Sequence, residues 1–149
     1  MAQMKKPSSP TAAARVPKLL VLGPSTIAPG LLETFPDEEA GREVVVEIDT
    51  DEFTAVCPWS GLPDFGSVRI RYVPRRRILE LRSFKYYLLT YRNVGIYQEH
   101  AARRMLRDLV RVVRPRWMEL ELEYRVRGGV HTVCRARHGR VPGRPITRG

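Results

Sequence analysis

Apolar positions change period twice along this chain, from that of strands to that of helices and back. Over 43–49 and 67–73 they run or alternate with β-branched residues, the pattern of strands with one buried face. From 83 to 92, Phe84, Tyr87, Leu88 and Tyr91 fall at helical spacing, with Ser83 placed to cap the first turn. Gly95 interrupts the pattern. A longer helix is expected over 97–113, with Ala102, Met105, Leu106, Leu109, Val110 and Val113 on one stripe and Pro115 beyond its end. Positions 118–126 then alternate strictly, acids against apolar residues, and Gly128-Gly129 turns the chain into a hairpin partner over 130–136. The order strand, strand, helix, helix, strand, strand predicts an α+β fold: a four-stranded antiparallel sheet covered on one face by two helices inserted between the strand pairs. Such a sheet keeps two open edges, which predicts a homo-oligomer.

The 149 residues are expected to form one domain over 19–137, with a disordered basic leader at 1–18 rich in Pro, Ser, Ala and Lys and a flexible basic tail at 138–149. The net charge of +10 invites a nucleic-acid partner, but its distribution argues otherwise. Four of the 26 Lys/Arg residues fall in 1–19 and five in 135–149, with no acid in either stretch, leaving 17 against all 16 acids between them. Polyanion affinity is therefore expected to be a salt-sensitive property of the tails, with no stable nucleic-acid partner. Apolar runs such as 19–22 fall far short of the roughly 20 residues a membrane span needs, and no signal peptide precedes them, so a cytoplasmic location without membrane contact is the default. Two cysteines are expected as reduced thiols, and with three scattered histidines they predict no metal site.

The densest candidate chemistry lies at 52–66, where Cys57 and Asp64 sit among Pro58, Gly61, Pro63 and Gly66. A thiolate is the strongest ordinary nucleophile, and this loop stiffens where it points. The alternatives are a buried cysteine acting as a small hydrophobe and an aspartate capping a turn. As a general acid, Asp64 would need a desolvated setting, expected here between Phe65 and Trp59. Glu99 projects toward the apolar stripe of the second helix, suited to accept two N–H donors from a flat heterocycle; the competing arrangement is an intrahelical pair with Arg103. Arg82, Lys85 and Arg92 share one side of the first helix, either solvated or binding a phosphorylated cofactor.

The run Glu80-Leu-Arg-Ser-Phe-Lys-Tyr-Tyr87 resembles the signature of the NADPH-dependent 7-cyano-7-deazaguanine reductases, nitrile reductases of the queuosine pathway, in their short single-module form. Seven of its eight places match; Arg82 stands for a lysine and keeps the charge. Supporting matches are Leu32-Glu-Thr-Phe-Pro36, Cys57-Pro with Ser60-Gly, Pro63-Asp-Phe-Gly66, Tyr91-Arg-Asn93 and Arg127-Gly-Gly129, so the resemblance covers about 32–129. It implies the tunneling fold, an oligomeric barrel with active sites at subunit interfaces, and four-electron reduction of 7-cyano-7-deazaguanine by two NADPH in turn. Cys57 would form a covalent thioimide with the nitrile and Asp64 would supply the proton. Gln98, Glu99 and the segment Leu79, Glu80 and Leu81 would bind the deazaguanine, while Arg82, Lys85 and Arg127 would contact NADPH. Where many members carry His-Glu, this chain has Gln98-Glu99, and glutamine cannot carry a proton. Two other functions compete: an amidinotransferase-like relative that adds ammonia to the nitrile adduct, and a basic RNA-associated protein.

Overall fold

In the computed structural model, which describes residues 20–141 and 143, six strands and two α-helices follow in the order β1 (Thr34–Pro36), β2 (Val46–Val56), β3 (Pro63–Val73), β4 (Arg77–Leu79), α1 (Leu81–Leu89), α2 (Gln98–Val113), β5 (Trp117–Arg127) and β6 (Val130–Gly139). The expected leader at 1–18 lies outside the described residues. His138 and Gly139 belong to β6, so regular structure runs past 137 into the expected tail.

Strands β2, β3, β5 and β6 form one antiparallel sheet in that spatial order, with the helices between the strand pairs as the apolar periods required. The small β1–β4 pair is additional, and its three-residue strands are too short to leave a period in the sequence. One sheet face carries Val68, Ile70 and Tyr72 of β3 and Met118, Leu120, Leu122 and Tyr124 of β5, all buried against Tyr87 and Leu88 of α1 and Met105, Leu109 and Val113 of α2. Each such aliphatic or aromatic side chain contributes about 1.5–3 kcal/mol by leaving water. The opposite face is charged. Glu119 takes Arg71 and Arg137, Glu121 takes Arg135 at 2.7 Å and Arg69 at 3.8 Å, and Glu123 meets His131 at 2.8 Å, so the acids that alternate along β5 are paired across to both neighbouring strands.

Helix α1 begins two residues before the expected cap. Glu80, not Ser83, is its N-cap, because its carboxylate reaches two free N–H groups at once, Arg82 at 3.0 Å and Ser83 at 2.6 Å. The Ser83 hydroxyl instead donates to Glu80 O and accepts from Glu33 N, tying the helix start to the chain before β1. Between the helices, the Tyr87 hydroxyl meets Tyr91 Oη and the buried Asp108 carboxylate, each at 2.8 Å, and Arg104 holds the same carboxylate. At the β5–β6 turn, Gly128 and Gly129 have φ of 56° and 78°, the two left-handed residues that a two-residue hairpin needs.

Candidate active site

Two one-residue bulges set which side chains meet. Between Thr50↔Val68 and Phe53↔Gly66, two residues of β2, Asp51 and Glu52, oppose one of β3, Ser67. Side chains alternate along a strand, so the extra residue rephases β2: Val46 and Ile48 face the helices before it, and Phe53, Ala55 and Cys57 after it. Ala55 pairs with Asp64, which makes Cys57 and Asp64 diagonal neighbours on the helix side, about 7 Å apart by strand geometry. The second bulge lies in β5, between Tyr124↔Thr132 and Arg127↔Val130. It brings Arg127 to the face of Tyr124, where the guanidinium lies 4.9 Å from the ring centroid and pairs with the Asp64 carboxylate.

Cys57 opens the six-residue β2–β3 loop and is half-buried. Its N–H donates to Leu62 O and its carbonyl accepts from Gly61 N, both at 2.9 Å, with Gly61 at φ 71° closing the turn. The Ser60 hydroxyl, then the N–H groups of Ser60 and Trp59, stabilise the thiolate and hold its pKa below the ordinary thiol value against burial and the Asp64 charge. The other thiol, Cys134, has its pKa pushed up by burial and by Glu99.

Asp64 is buried, but its surroundings differ from those expected. Trp59 is 88% exposed and Phe65 about half exposed, so no apolar sandwich encloses the carboxyl; β3 turns Phe65 to the opposite face, and Arg127 is the partner. Gly66 allows this packing. A Cβ there would stand 2.8 Å from Tyr124 Cδ1, so only glycine lets the ring lie against β3. Tyr124 itself escaped the sequence reasoning, since it sits in a strand that alternates regularly. Its hydroxyl is buried without a hydrogen-bond partner, and burial, with Asp64, raises its pKa. An unpaired buried hydroxyl costs about 1–3 kcal/mol and is a natural contact for a bound ligand.

The start of α2 borders this cluster. Gln98 is buried and gives both amide hydrogens to backbone carbonyls, Leu122 O at 2.8 Å and Thr132 O at 3.1 Å, thereby pinning α2 to β5 and β6. Glu99 does not point into the core as expected. The buried side of α2 runs through Gln98, Ala101, Ala102, Met105 and Leu109, one position round from the stripe read from the sequence, so Glu99 is exposed on its flank. It forms no ion pair with Arg103 and acts electrostatically on both Tyr124 and Cys134.

The signature segment lies elsewhere in the chain. Leu79 is buried and its N–H goes to Tyr72 Oη; Glu80 N goes to Glu33 O; Leu81, at the first helical position, keeps an N–H without an intrahelical acceptor. Arg82 and Lys85 are exposed, and Lys85 borders a hollow of about 270 Å³ with Ile48, Glu52, Leu81 and Phe84. Cys57 is five residues beyond Glu52, roughly 17 Å along the strand at ~3.3 Å per residue. Within one chain, then, Cys57, Asp64 and Arg127 come together with Tyr124, and Arg82 and Lys85 stand apart from them. Among the described residues no cluster of His, Cys, Asp and Glu could hold a metal ion, and no helix is long and apolar enough to cross a membrane.

Against known proteins, a family model described as QueF-like protein matches residues 63–142. The NADPH-dependent 7-cyano-7-deazaguanine reductase of Caldicellulosiruptor bescii is 48% identical over 118 residues, covering 79% of this chain and 90% of the relative. The reductase of the same name from Anaeromyxobacter sp. (strain K) is 47% identical over 111 residues, covering 74% and 91%. Among solved structures, the archaeosine synthase QueF-Like in its apo form matches with a TM-score of 0.61 at 28% identity, covering 66% of this chain and 96% of that one. With a family model spanning more than half of its length and reductases near half identical across most of it, the chain belongs to the QueF-like protein family.

Proposed function

We propose that this protein reduces the nitrile of 7-cyano-7-deazaguanine to 7-aminomethyl-7-deazaguanine with NADPH, in queuosine biosynthesis, through a covalent thioimide on Cys57. The observation that carries this reading is the convergence of a stabilised thiol, a buried carboxylate and an arginine at the bulged ends of β2, β3 and β5. The Cys57 sulfur attacks the nitrile carbon, and the thiol proton passes by way of Asp64 to the nitrile nitrogen, so the S–H bond and one π bond of the nitrile are exchanged for S–C and N–H bonds. Arg127 holds Asp64 in place between accepting and giving up that proton. After reduction of the C=N bond, the carbon–sulfur bond breaks, Cys57 leaves as thiolate, and an imine remains for the second reduction. The Gln98 side chain anchors the helix start but carries no proton, which leaves proton transfer to Asp64. Glu99 offers acceptors to the N–H edge of the deazaguanine, with Tyr124 Oη beside it.

NADPH, two molecules per turnover, supplies the hydrides. The exposed Lys85, which lines the 270 Å³ hollow with apolar side chains and with Asp49 and Glu52, and the exposed Arg82 at the start of the same helix would take the phosphates of a dinucleotide, and Arg127 keeps an exposed flank at the nucleophile. Because α1 lies well away from Cys57 in one chain, a second copy must bring its Leu79–Leu81 segment and α1 to the site. The open edges of β2 and β6 would join copies into the barrel of the tunneling fold, with each site at a subunit interface. Free cysteines and NADPH chemistry both suit the cytoplasm.

The structural relative named as an archaeosine synthase raises the alternative of ammonia addition to the same adduct. Identity of 48% to a reductase against 28% to that synthase, together with the intact run at 80–87, favours reduction. Incubation with the nitrile and NADPH decides: loss of reduced-nicotinamide absorbance at two equivalents per nitrile is expected, whereas a stable adduct with no NADPH consumed would reject reduction.

A further inference from the structure

The largest gathering of unpaired positive charge lies at the other end of the sheet. From Asp64 to Val73, β3 spans about 30 Å at ~3.3 Å per residue, and just beyond it the chain enters Arg75-Arg76-Arg77. These three side chains and Arg116, before β5, line a hollow of about 910 Å³ together with Asp37. Across the same arginine ridge, a second hollow of about 570 Å³ adds Arg114 and His138.

On the charged sheet face, Arg69, Arg71, Arg135 and Arg137 all have carboxylate partners; Arg75, Arg76, Arg77, Arg114 and Arg116 have none among the described residues. Arg77 reaches only Thr34 Oγ1, and the Asp37 carboxylate accepts from Glu39 N in its own turn. Four guanidinium groups thus face one carboxylate, a local excess of three positive charges. The backbone forces them together: Asp37 N donates to Arg76 O and Arg116 N to Val73 O, both at 2.9 Å, while Pro36 pairs with Arg77 across β1–β4. Each like-charge pair ~8 Å apart costs about 0.5 kcal/mol even in water, and that repulsion reverses to attraction when an anion enters. Arginine forks on a fixed backbone are suited to phosphate oxygens, and the hollow's volume falls in the range of small-ligand sites rather than of a flat nucleic-acid surface.

We propose that this hollow is a separate binding site for a small anion carrying linked phosphates, such as a nucleoside triphosphate or inorganic polyphosphate. The site does not depend on the nitrile chemistry.

The test uses the full chain and calorimetric titration with sodium triphosphate, with an oligouridylate as the RNA arm. Arg76→Ala/Arg116→Ala and Arg76→Glu are the variants; all keep the basic tails, so tail binding cancels. The expected result is saturable triphosphate binding at one per chain, weakened at least tenfold in the variants, with assembly size, Cys57 adduct formation and KM for NADPH unchanged. Absent triphosphate binding, equal affinity in the variants, or tighter binding of oligouridylate per phosphate would overturn the proposal. A changed assembly size would make the hollow a subunit contact, and a raised KM for NADPH would make it part of the reductase site; either result also rejects it. Adduct formation on Cys57 is read separately, so failure here leaves the reductase assignment standing.

Discussion

Gly66 offers a sharp test of how the site is packed, because replacing it by alanine adds one methyl group where none fits. The new Cβ would lie 2.4 Å from Glu123 O and 2.8 Å from Tyr124 Cδ1. Ordinary contacts are near 3.5 Å, so strands β3 and β5 would have to separate by about 1 Å at Gly66↔Tyr124, the pair that ends their hydrogen-bonded ladder. The first obstacle is a backbone carbonyl and cannot rotate away, so the cost falls toward the upper part of the ~1–3 kcal/mol range for overpacking. For a chain of this size, 2–3 kcal/mol corresponds to a fall in Tm of roughly 4–12 °C. Gly41→Ala is the control, since nothing lies within 4 Å of its Cβ and the expected change is within about 0.5 kcal/mol. Urea unfolding followed by tryptophan fluorescence reads both. The Tyr124 ring would be displaced together with the Arg127 it supports, so the Gly66 variant should also form the Cys57 adduct more slowly at a temperature where it remains folded. If Gly66→Ala matched the Gly41 control in stability, the packing of Tyr124 against β3 would be wrong.

Three further outcomes follow from the same geometry. Arg127→Ala leaves the buried Asp64 carboxylate unpaired; because the guanidinium is half exposed, the loss should be about 1–2 kcal/mol in urea unfolding rather than the 3–5 of a fully buried pair, and turnover should fall more than stability. Tyr124→Phe removes a buried hydroxyl that has no partner, so stability should rise, by up to the about 1–3 kcal/mol that its burial costs, while KM for the nitrile rises; a loss above 1 kcal/mol would mean that the hydroxyl is satisfied within the fold. Alkylation by iodoacetamide should distinguish the two thiols: the thiolate reacts, the Cys57 pKa is lowered chiefly by Ser60 and the Cys134 pKa is raised by burial, so rising pH activates Cys57 first. Ser60→Ala should move the Cys57 profile to higher pH and leave that of Cys134 in place; an unmoved Cys57 profile would remove Ser60 from the site.

Much of this architecture was legible in the apolar periods. Both helices and three of the four long strands lie within a few residues of where those periods put them, because each element buries one face and a buried face repeats at 3.6 or at 2; β2, expected over 43–49, runs Val46–Val56 instead, and with β3 starting at Pro63 it shortens the expected 52–66 loop to 57–62. Phase was the part that did not show. A bulge at 50–53 is one extra residue among polar side chains, yet it decides that Cys57 faces the helices, and a second one does the same for Arg127. The helix-wheel placement of Glu99 was wrong by one position because the buried side includes Gln98, a polar residue whose burial depends on carbonyls contributed by β5 and β6. The expected shielding of Asp64 by Trp59 and Phe65 failed for the same reason: neighbours in sequence alternate across a strand, and the true partner, Arg127, is far away in the chain.

If Cys57 is the nucleophile, mass spectrometry of the intact protein and its peptides after incubation with 7-cyano-7-deazaguanine in the absence of NADPH will show it. The expected result is a mass gain of one whole nitrile molecule per chain, located on the peptide containing Cys57, absent in Cys57→Ala and discharged when NADPH is added. An adduct on Cys134, or NADPH-dependent reduction that persists in Cys57→Ala, would contradict it.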